Sequence, residues 1–153
     1  MPSSSPDRAE AIDLVASTLL GRAARLTRLL MRSGAHEISR TEVGVLATLS
    51  EGPRRITQLA MTEALAQPTV TQLIDKLEDR GLVARSRSDD DGRVVLVEIT
   101  TAGAEALEVV RTLIRANMRE ALADLPDAEL TELAHAAETM GSLIEKLLPD
   151  LDA

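Results

Sequence analysis

Ile56-Thr57-Gln58-Leu59-Ala60-Met61-Thr62-Glu63-Ala64-Leu65-Ala66-Gln67-Pro68-Thr69-Val70-Thr71-Gln72-Leu73-Ile74 is the stretch on which the reading of this chain turns. Its apolar spacing predicts a short helix over about Thr57 to Ala64 and a longer one from Gln67 to Arg80. Proline at the second residue of the longer helix suits a first turn, whose amides have no helical acceptor. Gly81 is a natural left-handed terminator. Leu59, Ala60, Leu65, Val70, Leu73, Ile74 and Leu77 would pack the two helices together, leaving Gln67, Thr69, Thr71, Gln72 and Lys76 facing outward. Glutamine pairs bidentately with adenine, and threonine offers a hydroxyl and a methyl suited to thymine. A polar face that merely meets water is the alternative, and the residues beyond Gly81 weigh against it.

The period changes after Gly81. Leu82 to Arg87 and Arg93 to Ile99 read as two strands joined by the acidic, glycine-containing loop Ser88 to Gly92. Helix-turn-helix followed by hairpin is the winged arrangement, in which one helix enters the major groove while the hairpin reaches along the phosphates. Upstream, apolar residues from Ile12 to Met31 recur with helical spacing. Ser39-Arg40-Thr41-Glu42 is a capping box before the apolar stripe Val43, Leu46 and Leu49, which Gly52-Pro53 ends. Downstream, Thr100 caps a helix to about Ala123. Beyond Pro126 a last helix carries Leu130, Leu133, Ala137, Met140, Ile144 and Leu147 in a heptad-like seam. A helical hairpin at the end of so short a chain has little of its own sequence left to cover it, so this seam is expected to join two copies. The fold class expected is mainly α with a small β-hairpin: a winged helix-turn-helix whose N- and C-terminal helices form a dimerisation region.

Composition narrows the chemistry. The 153 residues contain no cysteine and no Phe, Tyr or Trp, so thiol redox sensing is excluded and the core is aliphatic. The net charge of −8 is confined to residues 96–153, with four basic and twelve acidic side chains; residues 52–95 balance at seven and seven. A polyanion would therefore approach the middle of the chain. No apolar run suits a membrane span, and MPSSSPDRAE lacks the layout of a signal peptide, so no membrane partner and a cytoplasmic location are expected. No GxGxxG, phosphate loop or His-Glu-x-x-His is present, so neither enzyme activity nor a cofactor is expected. His36 and His135 make no metal site. Arg22, Arg25, Arg28 and Arg32 form one stripe within about 120° of arc on the first helix. It is read mainly as a solvated or ion-paired face, and secondarily as a set of cations for an anionic effector.

Gln67-Pro68-Thr69-Val70-Thr71, Leu77-Glu78-Asp79-Arg80-Gly81-Leu82-Val83, Asp91-Gly92-Arg93 and Ile99-Thr100-Thr101-Ala102-Gly103, in register, resemble the motifs of the MarR family of bacterial transcription regulators. The resemblance spans about residues 10 to 148. It implies residues 1–9 as a flexible start and a single MarR-like domain over 10–148. Within that domain, about 36–100 would be the winged helix-turn-helix, and about 10–34 and 101–148 the dimerisation helices. It implies groove-reading positions at Ala66, Gln67, Thr69, Thr71 and Gln72, and a wing motif in which Asp91 orients Arg93; Arg85 and Arg87 are further phosphate candidates. It also implies a ligand-responsive dimeric repressor on a pseudo-palindromic double-stranded DNA site, released by a small anionic or phenolic effector. The competing reading is a winged-helix protein-interaction module that does not read DNA. Ala64 stands where the family usually has glycine, Ala66 where a capping serine is common, and Gln72 where a basic residue is frequent.

Overall fold

Ser39 opens the second helix as its spacing demands. Its hydroxyl accepts from the Glu42 amide at 3.3 Å, while Glu42 Oε2 accepts from the Ser39 amide at 2.5 Å. This computed structural model describes residues 6–31, 38–87 and 94–147. The elements are α1 (Pro6–Met31), α2 (Arg40–Ser50), α3 (Ile56–Thr62), α4 (Gln67–Asp79), β1 (Val83–Arg87), β2 (Val95–Ile99), α5 (Thr101–Leu122) and α6 (Asp127–Leu147). The helix of α1 begins at Pro6, several residues before the start expected. Proline's fixed φ favours a first helical position, and the apolar period that located the helix becomes visible only from Ile12. The chain divides into two units, one holding α1 and the other α2 through α6.

The second unit is built on an aliphatic core. Val45, Leu46, Leu49, Leu59, Val70, Ile74, Leu77, Val97 and Leu107 are buried, with Ala60, Leu65, Leu73 and Ile99 packed against them. The helix-turn-helix packing set thus lies where its spacing placed it. In α2, Val45 is fully buried and Val43 only partly, so the buried stripe of that helix is wider than Val43, Leu46 and Leu49.

β1 and β2 form one antiparallel pair in the register Val83↔Ile99 through Arg87↔Val95. The segment before α3 joins them. Arg54 N donates to Val97 O at 3.0 Å and Val97 N to Arg54 O at 2.8 Å. The strands expected from the sequence numbered two, and this bridge ties the start of the helix-turn-helix to the second of them.

Two glycines fix how the recognition segment meets its neighbours. Gly81 ends α4 at φ +70°, a left-handed conformation that costs glycine little. A Cβ on Gly103 would lie 2.0 Å from Leu82 O and 2.9 Å from Ile99 Cγ1, so only glycine permits this approach of α5 to the root of the hairpin. Thr100 completes the junction: its hydroxyl donates to Gly81 O at 2.7 Å and accepts from Gly103 N at 3.0 Å.

Candidate nucleic-acid interface

The turn between α3 and α4 is made by residues that do it at a cost. Ala64 adopts φ 52°, and Ala66 occupies the N-cap of α4 in extended conformation with no side-chain hydrogen bond to the helix. Both positions are where the sequence departs from its expected glycine and serine, and a left-handed alanine is disfavoured by about 1–2 kcal/mol. The turn nonetheless delivers α4 with Val70, Ile74 and Leu77 buried beneath it.

The opposite side of α4 carries the candidate reading residues. Ala66, Gln67, Thr69 and Gln72 are exposed, and all four side chains are neutral. Thr71 is half-buried, and its hydroxyl donates to Gln67 O at 3.0 Å, one turn back. Of its groove-reading capacity, the hydroxyl's donor is therefore engaged within its own helix.

The charged side chains of this helix behave differently. Lys76 and Arg80, one turn apart, share a single acceptor: Glu42 Oε1 lies 3.0 Å from Lys76 Nζ and 3.1 Å from Arg80 Nη1. The Glu42 side chain is only 1% exposed, and Glu42 is the buried charged residue among those described. Burial alone would push its carboxyl up. The Ser39 amide, Lys76 and the Ser39 hydroxyl outweigh it and hold the group below its ordinary value. The sequence places Lys76 among the outward DNA contacts. It is exposed, but its ammonium is paired with Glu42, which makes it part of the anchorage of α4.

Arg85 also departs from expectation. Its Nη2 lies 2.5 Å from Asp75 Oδ1 of α4, and its Nη1 bonds Glu78 Oε2. The hydrogen bond that Arg85 donates to Asp75 leads the causes that raise its pKa further above the ordinary arginine value, with desolvation opposing and Glu78 reinforcing. A guanidinium held by two carboxylates is neutralised where it stands, so the phosphate role expected of Arg85 is not what this geometry supports. Arg87, two residues along the same strand, is exposed. Asp91 and Arg93 of the wing motif lie outside the described residues, as do Arg32 and His36.

Sequence reasoning recognised Glu42 as a helix cap and missed it as an anchor for α4; Glu78 and Arg80 were read only as part of a family motif, and Asp75 was not singled out. The signal available was the pair Lys76 and Arg80 at i and i+4, two cations one turn apart on one side of the helix.

On α6, Leu130 is half-buried and Leu133, Ala137, Met140, Ile144 and Leu147 are exposed. Leu133 is 49% and Ile144 53% exposed, which is unusual for a helix with such an apolar face. Arg22, Arg25 and Arg28 are exposed on α1, and His135 is exposed on α6. None of the helices among the described residues is long and apolar enough to cross a membrane.

Comparison with known proteins bears on this geometry. The MarR family model matches residues 38–95, from the capping box of α2 to the start of β2. A helix-turn-helix-type transcriptional regulator of Mycobacterium bovis is 34% identical over 134 residues, covering 86% of this chain and 94% of that protein. The chain belongs to the MarR family. A transcriptional repressor of Bacillus subtilis, MdtR, is 27% identical, with 71% of this chain and 70% of that protein covered. The fold is shared with Escherichia coli MarR in its apo form, at TM-score 0.72 and 22% identity over 82% of this chain and 96% of that one. The chain is therefore a MarR-family transcription regulator and not an enzyme.

Proposed function

We propose that the chain is a homodimeric repressor that binds a pseudo-palindromic DNA site, with α4 in the major groove of each half-site and the hairpin beside it. The observation that carries this reading is the division of labour on α4. Its apolar side is buried, its cations are anchored to Glu42, and the side left outward presents the hydrogen-bonding amides Gln67 and Gln72 with Thr69. Amide side chains at that position suit the adenine edge, and the threonine methyl suits thymine. Repression is favoured by the similarity to MdtR, a repressor.

The exposed apolar side of α6, with Met140, Ile144 and Leu147, supports pairing of two copies, which would set two recognition helices about 34 Å apart. A small anionic or phenolic effector that prefers a different spacing would lower DNA affinity by linkage. The exposed arginines of α1 offer it cationic partners. The protein-interaction reading is disfavoured because the outward side of α4 has no apolar or aromatic anchor of the kind that dominates protein interfaces.

The test is enrichment of duplexes from a random-sequence pool by the full chain. A repeated, two-fold-related sequence element is expected, and an unenriched pool would overturn the proposal.

A further inference from the structure

We propose that Arg85 is a positioning residue that fixes the root of the wing to the recognition helix, so that α4 and the hairpin meet DNA as one rigid piece. The proposal rests on the DNA-binding reading above.

Asp75 and Glu78 lie three residues apart on α4 and so project from one side of the helix. That side turns toward β1, where Arg85 sits opposite Val97 of the partner strand. The planar guanidinium matches two carboxylates at once: Nη2 meets Asp75 and Nη1 meets Glu78, each nitrogen with its own acceptor. A lysine, with a single point of charge, would not reproduce this fork. The side chain is 28% exposed, which leaves it less screened than a pair standing in open solvent. The two partners favour its charged form.

The position of this fork matters. The second half of α4 is held on one side by Glu42, through Lys76 and Arg80, and on another by Arg85. The first anchor belongs to α2, within the core of the unit. The second belongs to the hairpin. Recognition helix and wing engage different features of the duplex, and a specific complex requires both at once. An error in the angle between them would weaken fit to the specific site while leaving charge-driven binding to random sequence nearly unchanged, because that term depends on cation number more than on shape. Arg85 thus contributes to sequence preference without touching DNA.

The experiment uses the full chain, a duplex enriched by the wild-type protein, and a scrambled duplex of the same composition, titrated at several salt concentrations. In the triple variant Asp75→Asn/Glu78→Gln/Arg85→Gln the fork is removed and no stray carboxylate remains. Its affinity for the enriched duplex is expected to fall about tenfold. Affinity for the scrambled duplex and the slope of log affinity against log salt are expected to match wild type. Arg85→Lys keeps the charge but loses the fork, and is expected to lose part of the preference at unchanged slope. This second variant decides the matter if thermal melting shows the triple variant unfolded. A slope smaller by about 0.9 per subunit in the triple variant, with equal losses on both duplexes, would make Arg85 a phosphate contact and overturn the proposal. So would wild-type preference in Arg85→Lys. Wild-type protein that enriches no duplex at all would overturn the DNA-binding reading, and the proposal with it.

Discussion

Glu42 Oε1, closed off from solvent at the start of α2, stands 3.0 Å from Lys76 Nζ on the recognition helix. One carboxylate therefore caps one helix and anchors another. Its neutral replacement, Glu42→Gln, keeps the shape but leaves Lys76 and Arg80 without a charged acceptor. Lys76 is 63% exposed and can be rehydrated, so much of its Coulomb contribution is screened. The expected loss in stability is about 1–3 kcal/mol, measured by urea unfolding at neutral pH.

The same residue sets an acid dependence. Because the folded state holds the Glu42 carboxyl below its ordinary value, its contribution is complete above the unfolded-state value and is lost as pH falls through the folded one. The stability gap between wild type and Glu42→Gln should thus narrow as pH is lowered below the ordinary carboxylate range. A gap that widens on the acid side would mean that the group is held neutral.

The turn before α4 can be improved. Ala64→Gly relieves a left-handed alanine at φ 52° and is expected to stabilise by about 1 kcal/mol. Ala66→Ser supplies the side-chain cap that the N-terminus of α4 lacks, again worth about 1 kcal/mol. Thermal melting of each variant against wild type is the check, and an unchanged midpoint in both would mean that the turn is not strained as described.

These two alanines show what the sequence makes legible. Capping, turn conformation and apolar period are local, so the box at Ser39, the cap at Thr100, the terminator Gly81 and the buried face of α4 can each be read from a few neighbouring residues. What the sequence leaves unseen is the set of non-local contacts. Glu42 meets Arg80 across 38 positions of sequence, and Arg85 reaches Asp75 across 10. Nothing in periodicity specifies which cation a given carboxylate will face. Exposure and charge alone therefore point Lys76 and Arg85 at DNA, and the bridge from Arg54 to Val97 has no local signature.

Dimerisation through α6 is tested by Ile144→Lys or Met140→Lys. If that side is covered in a dimer, either change would bury an unpaired ammonium and cost several kcal/mol of association. Sedimentation at micromolar concentration should show a dimer for wild type and a monomer for the variants, with loss of high-affinity DNA binding. A wild-type monomer that binds DNA tightly would leave the seam without a role in assembly.

The most direct measurement is the base preference of α4 itself. Wild type, Gln67→Ala and Gln72→Ala would be titrated against an enriched duplex and against a set of duplexes carrying single base-pair replacements. Each variant is expected to lose discrimination at one base pair per half-site, worth about 1–3 kcal/mol, and to keep it elsewhere. Two variants that bind and discriminate as wild type does would show that the outward side of α4 is not the reading surface.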